Sequence, residues 1–293
     1  SIYSFYRMFF GEWQYSFFLG EAALAKKVSL TPQNCLCRTY IFTTSNMLLK
    51  PLWTEVFEAR KGKVEMLLYS TNIEGFKKKN NKKTPYAYFR KMNWKNITGW
   101  DEKQRIYLEN AIENKINFSV KGPIWFSDAN ARVPDTEKIS IAYFDVAPKR
   151  KAWIEQLTPF YYYNRKLSIS ALKSVLNIAD KFSFVIYLKQ KRQIHKVDDR
   201  GYINFLDKLN SSSNIIKLNP ELAAHHVIKK ADLIISLPWT SPSVIGKFLG
   251  KPSCYFDPLN MLDSNDPASH GVKLIQSEID LENWIRKNLK KTN

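Results

Sequence analysis

The sequence has little cysteine and no long apolar run, and both shortages narrow the class of protein. Three cysteines, Cys35, Cys37 and Cys254, are too few for a disulfide framework. Cys35 and Cys37 also lack the second ligand pair of a zinc site. No stretch approaches the roughly 20 consecutive apolar residues of a membrane span. The aromatic opening run, 2–18, is interrupted by polar residues and lacks the charged leader of a signal peptide. Buried thiols in a reducing compartment are the better interpretation of the three cysteines.

The signatures of several common enzyme classes are also missing. No P-loop, G-x-S-x-G or G-x-G-x-x-G motif occurs, which excludes the usual kinase, hydrolase and dehydrogenase patterns. No Asp-x-Asp pair is present, and Asp198-Asp199 is adjacent instead of spaced. The four histidines are scattered without ligand spacing. The sequence therefore predicts neither a metal site nor another cofactor.

The composition that remains is that of a globular, basic protein. A hydrophobic content of 44% with 14% aromatics argues against disorder, and 293 residues suggest two domains. The 45 Lys and Arg against 27 Asp and Glu leave a net charge of +18. Such an excess favours anionic partners, whether nucleic acid, an anionic membrane or phosphorylated substrates. The densest basic run, Lys77–Lys83, is in its simplest interpretation a solvated loop.

The second half of the chain alternates between strand and helix patterns. Such alternation over short connections predicts a parallel sheet covered by helices. The predicted strands are Lys138–Val146, Phe182–Leu188, Asn214–Leu218, Asp232–Leu237 and Ser253–Phe256. The predicted helices are Ser168–Lys181, Glu221–Lys230, Ser243–Leu249 and Glu278–Lys290.

The first half is less regular, but it also favours an α/β unit. The predicted strands are Thr39–Thr43, Val64–Tyr69, Ala87–Met92 and Asn96–Gly99. The predicted helices are Met47–Ala59 and one that Asp101 caps and that runs to about Asn114. The polar segment Asn130–Thr136 separates the halves, so we expect domains at 1–136 and 137–293, with a hinge near Asp135–Lys138.

Ligands of open parallel sheets bind beyond the carboxyl ends of the strands. That rule selects four loops: Asp145–Lys149, Lys189–Arg192, Leu218–Glu221 and Leu237–Ser243. In the last loop, Pro238, Thr240, Ser241 and Ser243 join a buried strand to a helix, an arrangement that suits a phosphate. Ordinary N-capping by Thr240 or Ser241 is the alternative.

Charged residues at the other strand ends are further candidates. We predict that Lys189, Lys191 and Arg192 neutralise a phosphate or carboxylate and that Glu221 holds a base or ribose. Surface charge and a first-turn acid are the alternatives. In the first half, Asp101 and Glu74 are candidates for a general base acting on an acceptor hydroxyl, although such acids are more often a helix cap or a loop acid.

The second half carries the pattern A-D-L-I-I-S-L-P-W-T-S-P-S-x-x-G-x-x-x-G-K-P, after a strand that ends in F-D-V-x-P. This pattern resembles the surface-polysaccharide biosynthesis proteins that are named for a Pro-Phe-Thr-Ser motif, which here reads Pro238-Trp239-Thr240-Ser241. It is also similar to the C-terminal half of two-domain (GT-B) transferases that use CMP-activated ulosonic acids such as sialic acid or Kdo. The resemblance covers residues 140–293 well and 64–110 loosely.

The resemblance implies an α/β protein with two Rossmann-like domains facing a cleft. It implies a cytoplasmic, metal-independent glycosyltransferase that moves a sugar from a nucleotide donor, with CMP favoured, to a glycan or lipid-linked acceptor of capsule or lipopolysaccharide. A lipid-linked acceptor also suggests peripheral association with the inner face of the membrane, through Lys77–Lys83 and the aromatic start; the alternative for these segments is a solvated loop and a buried helix. The alternatives are a basic nucleic-acid- or membrane-binding protein without catalysis and a catalytically inactive scaffold. Nucleic-acid binding is disfavoured, because the basic residues follow no recognition module.

Overall fold

A computed structural model describes residues 2–43, 49–71, 74, 76–79, 87–123, 132–150, 152, 162–191, 193–209 and 214–289. Predictions for Arg192, for Lys82 and Lys83, and for the helix start at Met47 lie outside these ranges.

The chain divides into two compact units. The N-terminal unit is Ser1–Ile73 with Pro85–Gly122, and the C-terminal unit is Glu74–Thr84 with Pro123–Asn293. The predicted boundary at 136/137 lies C-terminal to the division at Gly122/Pro123. The sequence also did not indicate that Glu74–Thr84 groups with the second unit. Backbone hydrogen bonds explain that grouping, since Lys79 N donates to Met261 O (3.0 Å) and Asp263 N to Lys77 O (2.8 Å). Partners so distant along the chain leave no local sequence pattern.

The N-terminal unit is built on a four-stranded parallel sheet of order β1-β2-β3-β4. The strands are β1 (Thr39–Phe42), β2 (Lys63–Leu67), β3 (Asn96–Gly99) and β4 (Asn117–Val120). The helices are α1 (Ile2–Phe9), α2 (Trp13–Leu30), α3 (Leu52–Ala59) and α4 (Glu102–Ala111), with a 3-10 turn at Gln33–Cys35. Phe57, Met66, Ile97 and Leu108 form part of the core, each at most 1% exposed. Burying each such side chain contributes about 1.5–3 kcal/mol to folding.

The strand predicted over Ala87–Met92 is wrong, because Ala87–Lys91 is a 3-10 helix. Its apolar anchors Phe89 and Met92 are spaced by three residues, and both are buried in the N-terminal core. That spacing fits the three residues per turn of a 3-10 helix, and Met92 N donates to Phe89 O at 3.0 Å.

The C-terminal unit contains a six-stranded parallel sheet of order β10-β9-β8-β5-β6-β7. The strands are β5 (Ser140–Asp145), β6 (Val185–Gln190), β7 (Ile215–Lys217), β8 (Leu233–Ser236), β9 (Ser253–Phe256) and β10 (Lys273–Ile275). The helices are α5 (Arg165–Phe182), α6 (Arg200–Lys208), α7 (Ala224–Lys230), α8 (Pro242–Phe248) and α9 (Glu278–Leu289), with a 3-10 turn at Pro267–Ser269. The predicted α/β class and the predicted parallel sheet of the second half are confirmed.

The central strands β5 and β8 are buried along their whole length, which explains their continuous apolar sequence. Helix α5 packs Leu172 and Val175 against this sheet, and both side chains are fully buried. Asn164 caps α5 by accepting a hydrogen bond from Leu167 N at 3.0 Å. The sheet and α5 form a rigid base for the loops at the carboxyl ends of the strands.

Within the described ranges, no helix has the length and apolar character needed to cross a bilayer.

Candidate functional site

The strand order of the C-terminal sheet contains a topological switch point between β5 and β8. From β5 the chain proceeds to β6 and β7 on one side, and it then returns to β8, β9 and β10 on the other. Loops diverge at such a point and leave a crevice at the carboxyl ends of the two central strands, where α/β proteins bind ligands. Asp145 ends β5, and Leu237–Ser243 follows β8. The sequence analysis selected both loops, but it could not show that they are adjacent.

Hydrogen bonds hold the loop after β8 in a fixed path. Thr240 Oγ1 donates to Leu237 O at 2.5 Å, and Tyr255 Oη donates to Thr240 O at 2.8 Å. Tyr163 Oη donates to Pro238 O. Pro238 and Thr240 are both buried. Thr240 therefore uses its hydroxyl hydrogen within the loop and shapes the turn.

Trp239 adopts a backbone conformation that large side chains rarely take. Its φ is 61°, in the left-handed region. Its indole lies among three aromatic rings, with centroid distances of 5.0 Å to Tyr162, 5.6 Å to Phe76 and 6.3 Å to Tyr163. Such packing offsets a strained conformation of this kind, which costs on the order of 1–3 kcal/mol. The aromatic cluster therefore fixes the sharp turn that directs the chain into α8.

Helix α8 begins at this turn and is bound tightly to the sheet. Ser243 Oγ lies 2.6 Å from Ser236 Oγ and donates to Cys254 O at 2.7 Å, so this fully buried hydroxyl ties α8 to β8 and β9. Pro242 occupies the first turn of α8, where its missing N–H costs no hydrogen bond. Ser241 makes no capping hydrogen bond through its side chain and is half-buried. Among the described residues, Thr240 and Ser243 use their hydroxyls to hold the loop, whereas the Ser241 hydroxyl has no such bond.

The structure brings Lys189 and Glu221 together at the ends of β6 and β7. Lys189 is 5% exposed, and its Nζ donates to Gln190 O at 2.7 Å and to Pro220 O at 2.6 Å. Burial lowers the pKa of the Lys189 ammonium, and the Glu221 carboxylate opposes that shift. Glu221 is exposed. Lys191 is exposed on the same strand end, and its backbone N donates to Asp145 O at 3.1 Å.

Asp145 is a site residue that sequence reasoning did not single out. It is 1% exposed, and Tyr202 Oη donates to its Oδ2. Burial raises the pKa of Asp145 to about 6. One sequence feature could have pointed to Asp145, namely an acid at the end of an otherwise apolar strand. A buried carboxylate is costly unless it has a function or a partner.

Buried polar atoms without a partner collect at this end of the sheet. Among the described residues, Tyr143 Oη, Asp145 Oδ1, Gln190 Nε2 and Trp239 Nε1 have no hydrogen-bond partner. Tyr143 and Asp145 lie in the C-terminal half of β5, Gln190 ends β6, and Trp239 follows β8. Because buried polar groups are nearly always hydrogen-bonded, such a group of atoms marks a place where water or a ligand completes the structure.

The two candidate bases have different settings. Asp101 in the N-terminal unit caps α4, and its Oδ1 accepts a hydrogen bond from Gln104 N at 2.9 Å. Gln104 Nε2 in turn donates to Ser70 O at 2.9 Å, so this junction is tied to the end of β2. Glu74 belongs to the C-terminal unit and is 7% exposed. Their predicted catalytic roles remain predictions.

No group of three His, Cys, Asp or Glu in the part of the chain that the structure describes could hold a metal ion. Asp198 and Asp199 each bind a cation of this chain instead, Lys149 at 2.5 Å and Arg165 at 2.6 Å.

Fold and site together define a two-unit parallel α/β protein with a candidate ligand site at the switch point of its C-terminal sheet. The chain belongs to the polysaccharide biosynthesis PFTS motif protein family, whose model matches residues 3–285. Pro238-Trp239-Thr240-Ser241 occupies the turn after β8. The predicted link to polysaccharide biosynthesis is thereby confirmed.

Other comparisons add little. No curated protein matches the chain significantly. A solved structure, the crystal structure of TarM, is similar at 12% identity and a TM-score of 0.39. The similarity covers 78% of this chain but 43% of the TarM chain. A likeness of that size supports no inference about activity.

Proposed function

We propose that the chain is a glycosyltransferase that moves a sugar from a nucleotide-activated donor to a surface-glycan acceptor without a metal ion. A CMP-activated ulosonic acid is the favoured donor. The observation that carries the proposal is the family's motif turn at the switch point between β5 and β8, beside four buried polar atoms that have no hydrogen-bond partner among the described residues. Membership of a polysaccharide biosynthesis family supports sugar transfer over other nucleotide chemistry.

In this proposal the donor lies at the carboxyl ends of the C-terminal strands. The Ser241 hydroxyl donates a hydrogen bond to the phosphate of the nucleotide sugar. Pro238, Thr240 and Ser243 keep the turn and α8 in position. Lys189 and Lys191 supply positive charge, and Glu221 accepts from the nucleoside. Fixed donors and cations replace the metal ion that other transferases use to balance phosphate charge.

Transfer also needs a base. Asp101 or Glu74 takes the proton of the acceptor hydroxyl while its oxygen forms a bond to the anomeric carbon and the bond to the donor phosphate breaks. Asp101 is the easier to test, because Asn retains the oxygen that caps α4 but cannot accept a proton. We expect Asp101→Asn to fold normally and, if Asp101 is the base, to lose most transferase activity.

The class of partner can be tested by thermal unfolding of the full chain with CMP, UDP, GDP or short oligonucleotides, each with and without EDTA. A nucleotide that binds the folded state at 100 times its Kd raises stability by about 2.7 kcal/mol. We expect CMP to shift the unfolding temperature most and EDTA to leave the shift unchanged. A shift with oligonucleotides alone would favour the binding-protein alternative. A nucleotide shift that EDTA removes would contradict metal independence.

One observation favours a second property, peripheral association with anionic membrane. Helices α1 and α2 expose large apolar side chains, among them Ile2 at 91%, Phe9 at 70% and Trp13 at 76%. Among the described side chains of these two helices, only that of Ala25 is buried. Aromatic residues favour the membrane–water interface, and net positive charge favours anionic lipid. We propose that these helices contact the membrane that carries a lipid-linked acceptor.

A further inference from the structure

A second concave surface of the C-terminal unit lies outside the residues assigned to the donor. Its cavity volume is about 650 Å³, within the usual range for small-molecule sites. The charged residues that line it are Lys149, Arg165, Lys166, Lys173 and Asp199. A cavity with four cations and one carboxylate in its wall is suited to an anion.

Two of these cations are held in place by carboxylates. Lys149 Nζ lies 2.5 Å from Asp198 Oδ1, and the side chain of Asp198 is 1% exposed. Arg165 binds Asp199 through two parallel hydrogen bonds of 2.6 and 2.9 Å. The loop bearing Lys149 is also fixed, since Asp199 N donates to Pro148 O at 2.8 Å. The positions of both cations are therefore set before any ligand arrives.

In the part of the chain that the structure describes, the other two cations have no acidic partner. Lys166 and Lys173 are exposed on α5, seven residues apart, which places them on one face of the helix. Within the described ranges, neither has a carboxylate at ion-pair distance; Lys173 Nζ lies 5.8 Å from the ring centroid of Phe205. Four cations against Asp198 and Asp199 leave two positive charges for a ligand.

A glycine makes the geometry of Arg165 possible. Gly201 lies in the first turn of α6, and a Cβ there would come within 2.7 Å of the guanidinium carbon of Arg165. Any larger residue at 201 would displace the arginine from the cavity wall.

A three-residue segment connects this cavity to the motif turn. Tyr162 Oη donates to Asp257 Oδ1 at 2.9 Å, and Tyr163 Oη donates to Pro238 O. Asn164 follows, caps α5 and lines the cavity. A residue that bonds to the motif turn and a residue that lines the cavity are therefore neighbours in the chain.

We infer that this cavity binds the phosphate group of an anionic saccharide, with Lys166 and Lys173 as the ligands of the phosphate and Arg165 as a preset third donor. Asn164 and Ser170 offer hydrogen bonds to sugar hydroxyls, and the volume accommodates a saccharide as well as its phosphate. The inference rests on the proposed function in one respect, that the phosphosaccharide is a surface polysaccharide or its precursor.

The test is calorimetric titration of the full chain with trehalose 6-phosphate, with trehalose and inorganic phosphate as separate arms. We expect trehalose 6-phosphate to bind most tightly and to bind more weakly as salt rises. The double variant Lys166→Gln/Lys173→Gln should weaken that binding roughly tenfold. The control is Lys208→Gln/Lys287→Gln, which removes two exposed lysines of the same unit away from the cavity. The control should bind as the wild type does, and denaturant midpoints should agree among all three proteins.

Several results would overturn the inference. They are no binding of trehalose 6-phosphate, an unchanged affinity in the Lys166/Lys173 variant, or an equal loss in the control. Inorganic phosphate binding as tightly as trehalose 6-phosphate would refute the saccharide part. The thermal shift with CMP should be unaffected by the Lys166/Lys173 variant, so a failure here is distinguishable from a failure of the proposed donor site.

Discussion

Individual residues at the switch point divide into those that build the turn and those left available to a ligand. Thr240 and Ser243 were predicted to bind phosphate because hydroxyls at a strand-to-helix junction suit it. Their hydroxyls instead bond to Leu237 O and Cys254 O. Sequence places a hydroxyl at a junction but does not give its rotamer. Asp145 was selected only as the start of a loop, because the structure alone shows that Tyr202 bonds to one of its oxygens and that the other has no hydrogen-bond partner among the described residues.

The carboxyl of Asp145 should make stability depend on pH. Its pKa is raised to about 6 by burial, whereas an unfolded Asp titrates near about 3.9. Between these values the folded chain binds more protons than the unfolded chain, so this group's stabilising contribution is present below about pH 4 and is lost by about pH 6. Relative to Asp145→Asn, the wild type should lose on the order of 2–3 kcal/mol between pH 4 and 7. Urea unfolding at several pH values measures this, and parallel curves for the two proteins would contradict it.

At the scale of elements, the sequence predicted long or fully buried segments and missed short or exposed ones. Strands β5, β8 and β9 are continuous apolar runs and were found within a few residues. Strand β10 has three residues, and β4 is half-exposed, so neither gives a clear pattern. Helix α2 has almost no buried face, so no apolar periodicity marked it, and α1 has only eight residues. The order of strands, and with it the switch point, depends on long-range pairing that local patterns do not contain.

Helix α8 should depend on the absence of a side chain at Gly246. A Cβ there would lie 2.3 Å from Ser253 Oγ and 3.0 Å from Ile234 Cγ1, so Gly246→Ala forces α8 away from the sheet. Overpacking of this kind costs roughly 1–3 kcal/mol, and the displaced turn should weaken nucleotide binding. Gly20→Ala is the control, because nothing lies within 4 Å of its Cβ position in α2. That change should stabilise slightly, by about 0.5–1 kcal/mol. Equal stability of Gly246→Ala and wild type in urea would show that the packing is not tight.

For the whole molecule, the charge of +18 and the exposed aromatics of the first two helices predict salt-dependent membrane binding. Flotation with anionic liposomes at low salt should carry the chain upward, and neutral liposomes should carry less. Replacing Phe9 and Trp13 by Ser removes apolar contact without changing charge and should reduce flotation severalfold. Replacing exposed Ile106 and Ile279 by Ser removes apolar surface elsewhere and should not reduce flotation. Absence of flotation at low salt, or equal loss in both variants, would refute a membrane role for α1 and α2.

The central claim for the whole molecule is that the motif turn binds the phosphate of a nucleotide donor. The most direct test measures two quantities on wild type, Ser241→Ala and Thr240→Ala. They are the affinity for CMP, by titration, and the midpoint of urea unfolding. A lost hydrogen bond to a charged group costs about 1.5–3 kcal/mol, so Ser241→Ala should weaken CMP binding roughly ten- to a hundredfold with a wild-type unfolding midpoint. Thr240→Ala should instead lose about 1 kcal/mol of stability, because it removes the bond to Leu237 O. Unchanged CMP affinity in Ser241→Ala would contradict the account and leave the turn with a structural role alone.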